Sequence, residues 1–281
     1  MTEINTVLVL GATGKTGRRL VAKLADRGAV VRAASRHPGA DGVLFDWDRP
    51  ETHGPALAGA DAVYVVLPEM VADPSPVAGP FLALATAAGV RRVVLLTALG
   101  PGLDQVATPG FGLVEDQLRA SGLDWTILRP TGFFQNFSEG IHLAGIREQG
   151  VVAVPTGDGR APLVDAEDIA AVAAAALTED GHAKAAYAVT GPAAITYGEA
   201  AELVGAVSGR VVVHQDVPRE EFVGDLLRFG LPPDYAQLVV GTFDAVREGR
   251  GAAVSPHVEQ VTGRPATSFA DFVTREASAW G

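Results

Sequence analysis

Residues 6–17 run Thr6-Val7-Leu8-Val9-Leu10-Gly11-Ala12-Thr13-Gly14-Lys15-Thr16-Gly17. The first five are a continuous apolar run, as a strand buried on both faces requires. The loop that follows leads into helix-period residues Leu20, Val21 and Leu24. In such a loop Gly11 permits the tight turn, Gly14 lets backbone approach a pyrophosphate, and Gly17 lets helix and strand pack closely. The helix N-terminus beyond it offers free N–H groups and a dipole that favours negative charge. A glycine triplet alone is weak evidence, but between a first strand and a first helix it points to a dinucleotide. Gly14-Lys15-Thr16 echoes the end of a P-loop. That motif needs a glycine where Val9 stands, so nucleoside triphosphate hydrolysis is disfavoured.

The same alternation continues outward. Gly28 reads as the stop of the first helix, Ala29–Ala34 as a second strand and Val43–Phe45 as a short third. A fourth strand, Ala62–Leu67, ends at Pro68. A helix over Pro80–Ala88 precedes a fifth strand, Arg92–Leu96, and a helix over Val114–Ala120 precedes a sixth, Trp125–Leu128. This order predicts an α/β protein with a Rossmann-type doubly wound parallel sheet and right-handed crossovers. Beyond Pro130 the pattern loosens into an alanine-rich helix, Val164–Leu177, and another over Tyr197–Val207. The expected division is a dinucleotide-binding domain at 1–155 and a smaller, mainly helical C-terminal substrate lobe at 156–281, partly interleaved with it.

Composition narrows the function. The chain has 281 residues, 48% of them hydrophobic, enough for a large core. Its net charge of −11 argues against a nucleic-acid surface. There is no cysteine, which excludes disulfides, thiolate metal sites and a cysteine nucleophile. The histidines are scattered without ligand spacing, so no metal is expected. Neither a basic-then-apolar leader nor a membrane-length apolar run is present, and the expected location is cytoplasmic.

The second strand bears on the choice of cofactor. A site for NAD usually carries Asp or Glu at the end of this strand to accept from the ribose 2′-hydroxyl. Here the strand ends Ala33-Ala34-Ser35-Arg36-His37. Arg36 offers a planar cationic fork to a 2′-phosphate, with Ser35 as an added donor and Arg32, Lys15 or Arg18 as possible helpers. The expected cofactor is NADP(H), with NAD(H) the alternative. Asp46 is placed to accept from the adenine amino group and Trp47 to cap the ring, unless both are plain loop residues.

These motifs resemble the NmrA-like branch of the atypical short-chain dehydrogenase/reductases over nearly the whole chain. The likeness rests on residues 11–17 and on Leu95-Leu96-Thr97-Ala98-Leu99-Gly100. It also rests on the stretch from Ser121 to Pro130 with Phe133, Phe134 and Asn136, on Asp165-Ala166-Glu167-Asp168-Ile169-Ala170, and on Val261-Thr262-Gly263-Arg264-Pro265. The resemblance implies an NAD(P)-binding lobe, a smaller C-terminal lobe and a substrate cleft between them. Its members include quinone reductases, dye and iminium reductases, and redox-sensing regulators that bind cofactor without turning it over.

Short-chain dehydrogenases typically use Tyr-x-x-x-Lys as proton donor and pKa-lowering partner. No tyrosine here lies four residues before a lysine, and Phe111 and Glu115 stand at the expected place. A simple ketone, which needs a well-placed acid, is therefore a poor substrate. Quinones and cyclic iminium ions tolerate a site that only aligns hydride donor and acceptor. The expected activity is hydride transfer from NADPH to such a small aromatic or heterocyclic acceptor. The alternatives are a non-catalytic cofactor sensor that binds a protein partner, and a scaffold for isomerisation or cyclisation.

Few polar groups are candidates for the chemistry. Thr97 either faces the nicotinamide or satisfies backbone at its strand end, and Asn136 either bonds a substrate carbonyl or caps the next turn. Leu67 and Pro68 are expected to flank the nicotinamide ribose. Gly132, Phe133 and Phe134 are expected to cover the nicotinamide or contact substrate, unless the aromatics only pack the lobes together. Asp165, Glu167 and Asp168 read as capping and dipole compensation at a helix start. The sequence carries no assembly motif, and oligomeric state stays open.

Overall fold

A computed structural model describes residues 4–281. The first half alternates β1 (Thr6–Leu10), α1 (Gly17–Asp26), β2 (Val30–Ser35), β3 (Val43–Leu44), α2 (His53–Leu57), β4 (Ala62–Val66), α3 (Ser75–Ala87), β5 (Arg92–Leu96), α4 (Pro109–Ala120) and β6 (Asp124–Pro130). Then come α5 (Gln135–Ser138), α6 (Leu143–Gln149), β7 (Val151–Ala153), β8 (Arg160–Ala161), α7 (Ala166–Thr178) and β9 (Ala185–Val189). The chain ends with β10 (Ile195–Thr196), α8 (Tyr197–Ser208), β11 (Val213–Gln215), α9 (Arg219–Arg228), α10 (Pro233–Arg247), α11 (His257–Thr262) and α12 (Phe269–Arg275).

Seven strands form one sheet in the order β3-β2-β1-β4-β5-β6-β9, every neighbouring pair parallel. Strand order reverses between β1 and β4, and in open α/β sheets the crevice beyond the carboxyl ends at that point receives ligands. Val7, Leu8, Val9 and Leu10 are fully buried because helices cover both faces. One face packs against α3 and α4 through Phe81, Leu82, Val114 and Leu118. The other packs against α1 and α7. In α7 a run of alanines, Ala170 and Ala173 to Ala176, lies wholly buried, and their small side chains let the helix sit close to the sheet. As the sequence predicts, Asp165 caps α7, its carboxylate accepting from the Glu167 N–H at 2.9 Å.

Two features were not foreseen. The seventh strand, β9, extends the sheet beyond β6, and the second lobe contains β-structure: a parallel pair, β7 with β11, and an antiparallel pair, β8 with β10. The two lobes interleave across residue 155. α7 and β9 lie after it yet complete the sheet layers, whereas Phe134 and Phe137 lie before it yet join the second core with Tyr197, Phe243, Phe269 and Trp280.

Candidate cofactor cradle and acceptor cavity

The loop after β1 has the shape its glycines allow. Gly11 adopts φ +63°, where a side chain is strained, and the Gly14 N–H donates to the Gly11 carbonyl at 2.9 Å. A Cβ on Gly17 would lie 2.1 Å from that same oxygen, so the first turn of α1 rests directly on the loop. Gly11, Thr13 and Gly14 line a cavity of about 220 Å³ together with Ser35 and Arg36 after β2, Asp46 and Trp47 after β3, and Leu67 and Pro68 after β4. Four separate stretches singled out in the sequence thus converge at the switch point.

Individual side chains sharpen this picture. The Trp47 indole donates to the Val66 carbonyl at 3.1 Å and stands edge-on to Phe45 and Phe81, a fixed wall. The Asp46 carboxylate accepts from the Asp48 N–H at 3.1 Å, and the Asp46 carbonyl is held by His53. Arg36 is exposed, its guanidinium 3.9 Å from Glu69 at the cavity's rim. Arg32 turns away to the Pro55 and Ala56 carbonyls, and Arg18 is tied to Glu139. The Lys15 ammonium has no partner among the described residues. Thr16 is buried, and its hydroxyl accepts from that of Tyr64 at 3.0 Å, which keeps its own proton available to a ligand.

A second cavity, about 400 Å³, opens beyond the carboxyl ends of β5 and β6. Its walls are Leu99, Gly100, Thr131, Gly132 and Asn136 on the sheet side and Tyr197 with α10 on the other. No Asp or Glu lies among the described residues that line it, and its one lining cation, Arg250, pairs with Glu248. Most lining polar groups are already engaged: the Thr131 hydroxyl donates to Pro162, that of Thr242 to Val239, and Gln237 accepts from Arg219. The Asn136 side-chain amide makes no hydrogen bond among the described residues and caps no turn.

Three expected contacts fall elsewhere. Thr97 is buried with its hydroxyl donating to Glu115 at 3.0 Å, which leaves no proton to offer a ligand. Glu115 also receives the Arg129 Nε at 2.9 Å and a terminal nitrogen of Arg119 at 2.8 Å. Burial pulls the Glu115 carboxyl pKa up, and the Arg129 hydrogen bond and charge, with Thr97 and Arg119, carry it below the ordinary range. Phe134 is 1% exposed and packs edge-on to Phe269, a core residue and not a cavity wall. Phe133 is half-buried, bridges to Val164 and packs with the sheet-side core, whereas its neighbour Gly132 does reach the cavity. Sequence reasoning missed Tyr197 and α10. A signal existed for Tyr197: Thr196 and Glu199 form a capping box that places it in the first turn of α8.

A sequence profile described as NAD(P)H-binding matches residues 11–180. The chain is 36% identical over 286 residues to the NAD(P)H azoreductase of Xenophilus azovorans, covering 98% of this chain and 99% of that one. It is 37% identical over 290 residues to a (4-alkanoyl-5-oxo-2,5-dihydrofuran-3-yl)methyl phosphate reductase of Streptomyces griseus, at the same coverage. Among solved structures, the Citrobacter triphenylmethane reductase complexed with NADP(H) superposes with a TM-score of 0.78 at 22% identity, over 97% of this chain and 99% of that one. The fold and the glycine cradle define a nicotinamide-dinucleotide protein. The chain belongs to the NAD(P)H-binding family and is an NAD(P)H-dependent oxidoreductase.

Proposed function

We propose that this oxidoreductase draws hydride from NADPH and delivers it to a small, uncharged conjugated acceptor, a quinone in preference to a cyclic iminium. The observation that carries the reading is the 400 Å³ cavity at the ends of β5 and β6, with no carboxylate among its described lining residues. A cationic iminium entering such a cavity would lose its hydration without gaining a counter-charge. A neutral quinone suffers no such penalty and gains from the apolar walls.

The cradle suits NADPH, because a Cβ at Gly17 would fill the turn that approaches a pyrophosphate, and Arg36 stands where a 2′-phosphate needs a cation. Gly11 to Gly17 hold the phosphates, with Lys15 as the unpaired cation, and Trp47 and Asp46 hold the adenine end. When bound, the reduced nicotinamide supplies the hydride. Leu67 and Pro68 support the ribose beside it, and Gly132 leaves room over the ring. Asn136 hydrogen-bonds the acceptor's oxygen, which takes its proton from water. No Tyr-x-x-x-Lys pair is needed, since the product hydroquinone leaves only a stabilised phenolate to protonate. A walled cavity also favours turnover over cofactor sensing.

Steady-state NADPH oxidation with menadione and with a cyclic iminium of similar size tests the reading. Menadione should be reduced with the higher kcat/KM. Absence of NADPH consumption above background with both overturns it, and a clear preference for the iminium overturns the choice of acceptor.

A further inference from the structure

We infer that the hydroxyl of Tyr197 is a binding group for the acceptor, donating a hydrogen bond to its carbonyl oxygen from the wall contributed by the second lobe. The inference rests on the quinone reading above and adds a residue to it. Tyr197 is 5% exposed, and its ring is enclosed by Phe137, His142 and Phe243 at centroid distances of 5.8–5.9 Å. The two tyrosines on strands of the main sheet spend their hydroxyls inside the protein, Tyr64 on Thr16 and Tyr187 on His182. The Tyr197 hydroxyl has no hydrogen-bond partner among the described residues. It is not among the sealed polar atoms that lack partners, and the residue lines the 400 Å³ cavity. A buried hydroxyl of this kind is costly unless something that enters the cavity accepts from it.

Two features hold it there. The Thr196–Glu199 capping box anchors the first turn of α8, and the rings of Phe137, His142 and Phe243 pack against its own. Burial raises the phenol's pKa, and its neighbour His142 is neutral because burial brings that imidazole down to about 3. His214, the other titratable group against the ring, sits 6.2 Å away with its Nε2 on the Val154 carbonyl. Tyr197 therefore keeps its proton and orients the acceptor as a donor. It does not pass the proton on, because a hydroquinone anion is a weaker base than a buried tyrosinate.

The test is menadione binding to the NADP⁺-saturated protein, where no hydride is available and no turnover occurs. In Tyr197→Phe, which preserves the ring packing, menadione should bind about tenfold more weakly, while 2-methylnaphthalene, which accepts no hydrogen bond, should bind wild type and variant alike. In turnover the same variant should raise KM for menadione more than it lowers kcat. Equal menadione affinity in the two proteins overturns the inference and leaves the proposed function standing. Failure of menadione to bind the wild type overturns both.

Discussion

Thr97 and Glu115 are joined by a 3.0 Å hydrogen bond that turns the threonine hydroxyl away from the cavity and onto a buried carboxylate. Glu115 stands on α4, the helix in which the lysine of a Tyr-x-x-x-Lys pair is expected from the sequence. Here that place holds a negative charge, clasped by Arg129 from β6 and Arg119 from its own helix. The ion pair welds α4 to β6, whose ends form the floor of the acceptor cavity. Glu115→Ala should cost about 3–5 kcal/mol, because Arg129 would be left as an uncompensated, nearly buried charge. Urea denaturation measures this. The pKa of Glu115 lies below its unfolded value, so its contribution is present above that value and fades as pH falls through the folded one, in acid below about pH 4.

Arg36 should set cofactor preference. Arg36→Ala is expected to weaken NADPH binding roughly 10–100-fold and to leave NADH nearly unchanged, as loss of charge-assisted hydrogen bonds implies. Glu69→Gln should do the reverse on a smaller scale, since Glu69 competes for Arg36 and repels a phosphate. Calorimetric titration with both cofactors reads the two effects.

Gly17→Ala should abolish tight NADPH binding. The added methyl would stand 2.1 Å from the Gly11 oxygen, and that contact is backbone, which cannot rotate aside. The loop must shift, at a cost on the order of 1–3 kcal/mol in stability. Thermal melting with and without NADPH should show a lowered melting temperature and no ligand-induced rise.

His142 predicts a pH slope. Its folded pKa, about 3, is far below the unfolded value, so the unfolded chain takes up a proton first as pH falls. Its contribution to stability is whole above about pH 6.5 and declines by roughly 1.4 kcal/mol per pH unit down toward the folded pKa. Denaturation at pH 7, 6 and 5 should show this decline, and His142→Phe should flatten it.

α10 walls both the acceptor cavity and a smaller crevice beside Phe111, with Leu238 on each. Leu238→Trp should fill the larger space. Menadione reduction is expected to fall more than about tenfold, as displacement of bound substrate from its near-attack position implies, with NADPH affinity intact. Parallel weakening of cofactor binding would show that the two cavities are not separate.

Some of this molecule was legible in its sequence and some was not, for physical reasons. Residues 6–17 could be read because strand, turn and helix are local, and each glycine answers a local steric demand. Arg36 and Trp47 could be placed because β2 and β3 lie to one side of β1 in such a sheet and end next to its glycine loop. Thr97 and Phe134 could not be oriented from sequence. Alternate strand positions face opposite sides, and whether a side chain meets a carboxylate, a core or a cavity depends on elements far along the chain. β9 was hidden because its residues, Ala185-Ala186-Tyr187-Ala188-Val189, are mostly alanine, which favours helix over strand, and its first residues are not buried. Tyr197 had a readable helix start, but nothing local shows which lobe its ring would enter.

The crossing of the chain between layers carries a consequence for how the protein can diversify. Since α7 and β9 return to the sheet between two visits to the second core, neither half can be cut away and left to fold alone. The stretch from Ile195 to Arg247 leaves the sheet once and carries both Tyr197 and α10. Exchanging it for the matching stretch of a relative, together with the β7 and β8 strands it pairs with, should rewrite the choice of acceptor and leave the residues around the glycine loop as they are.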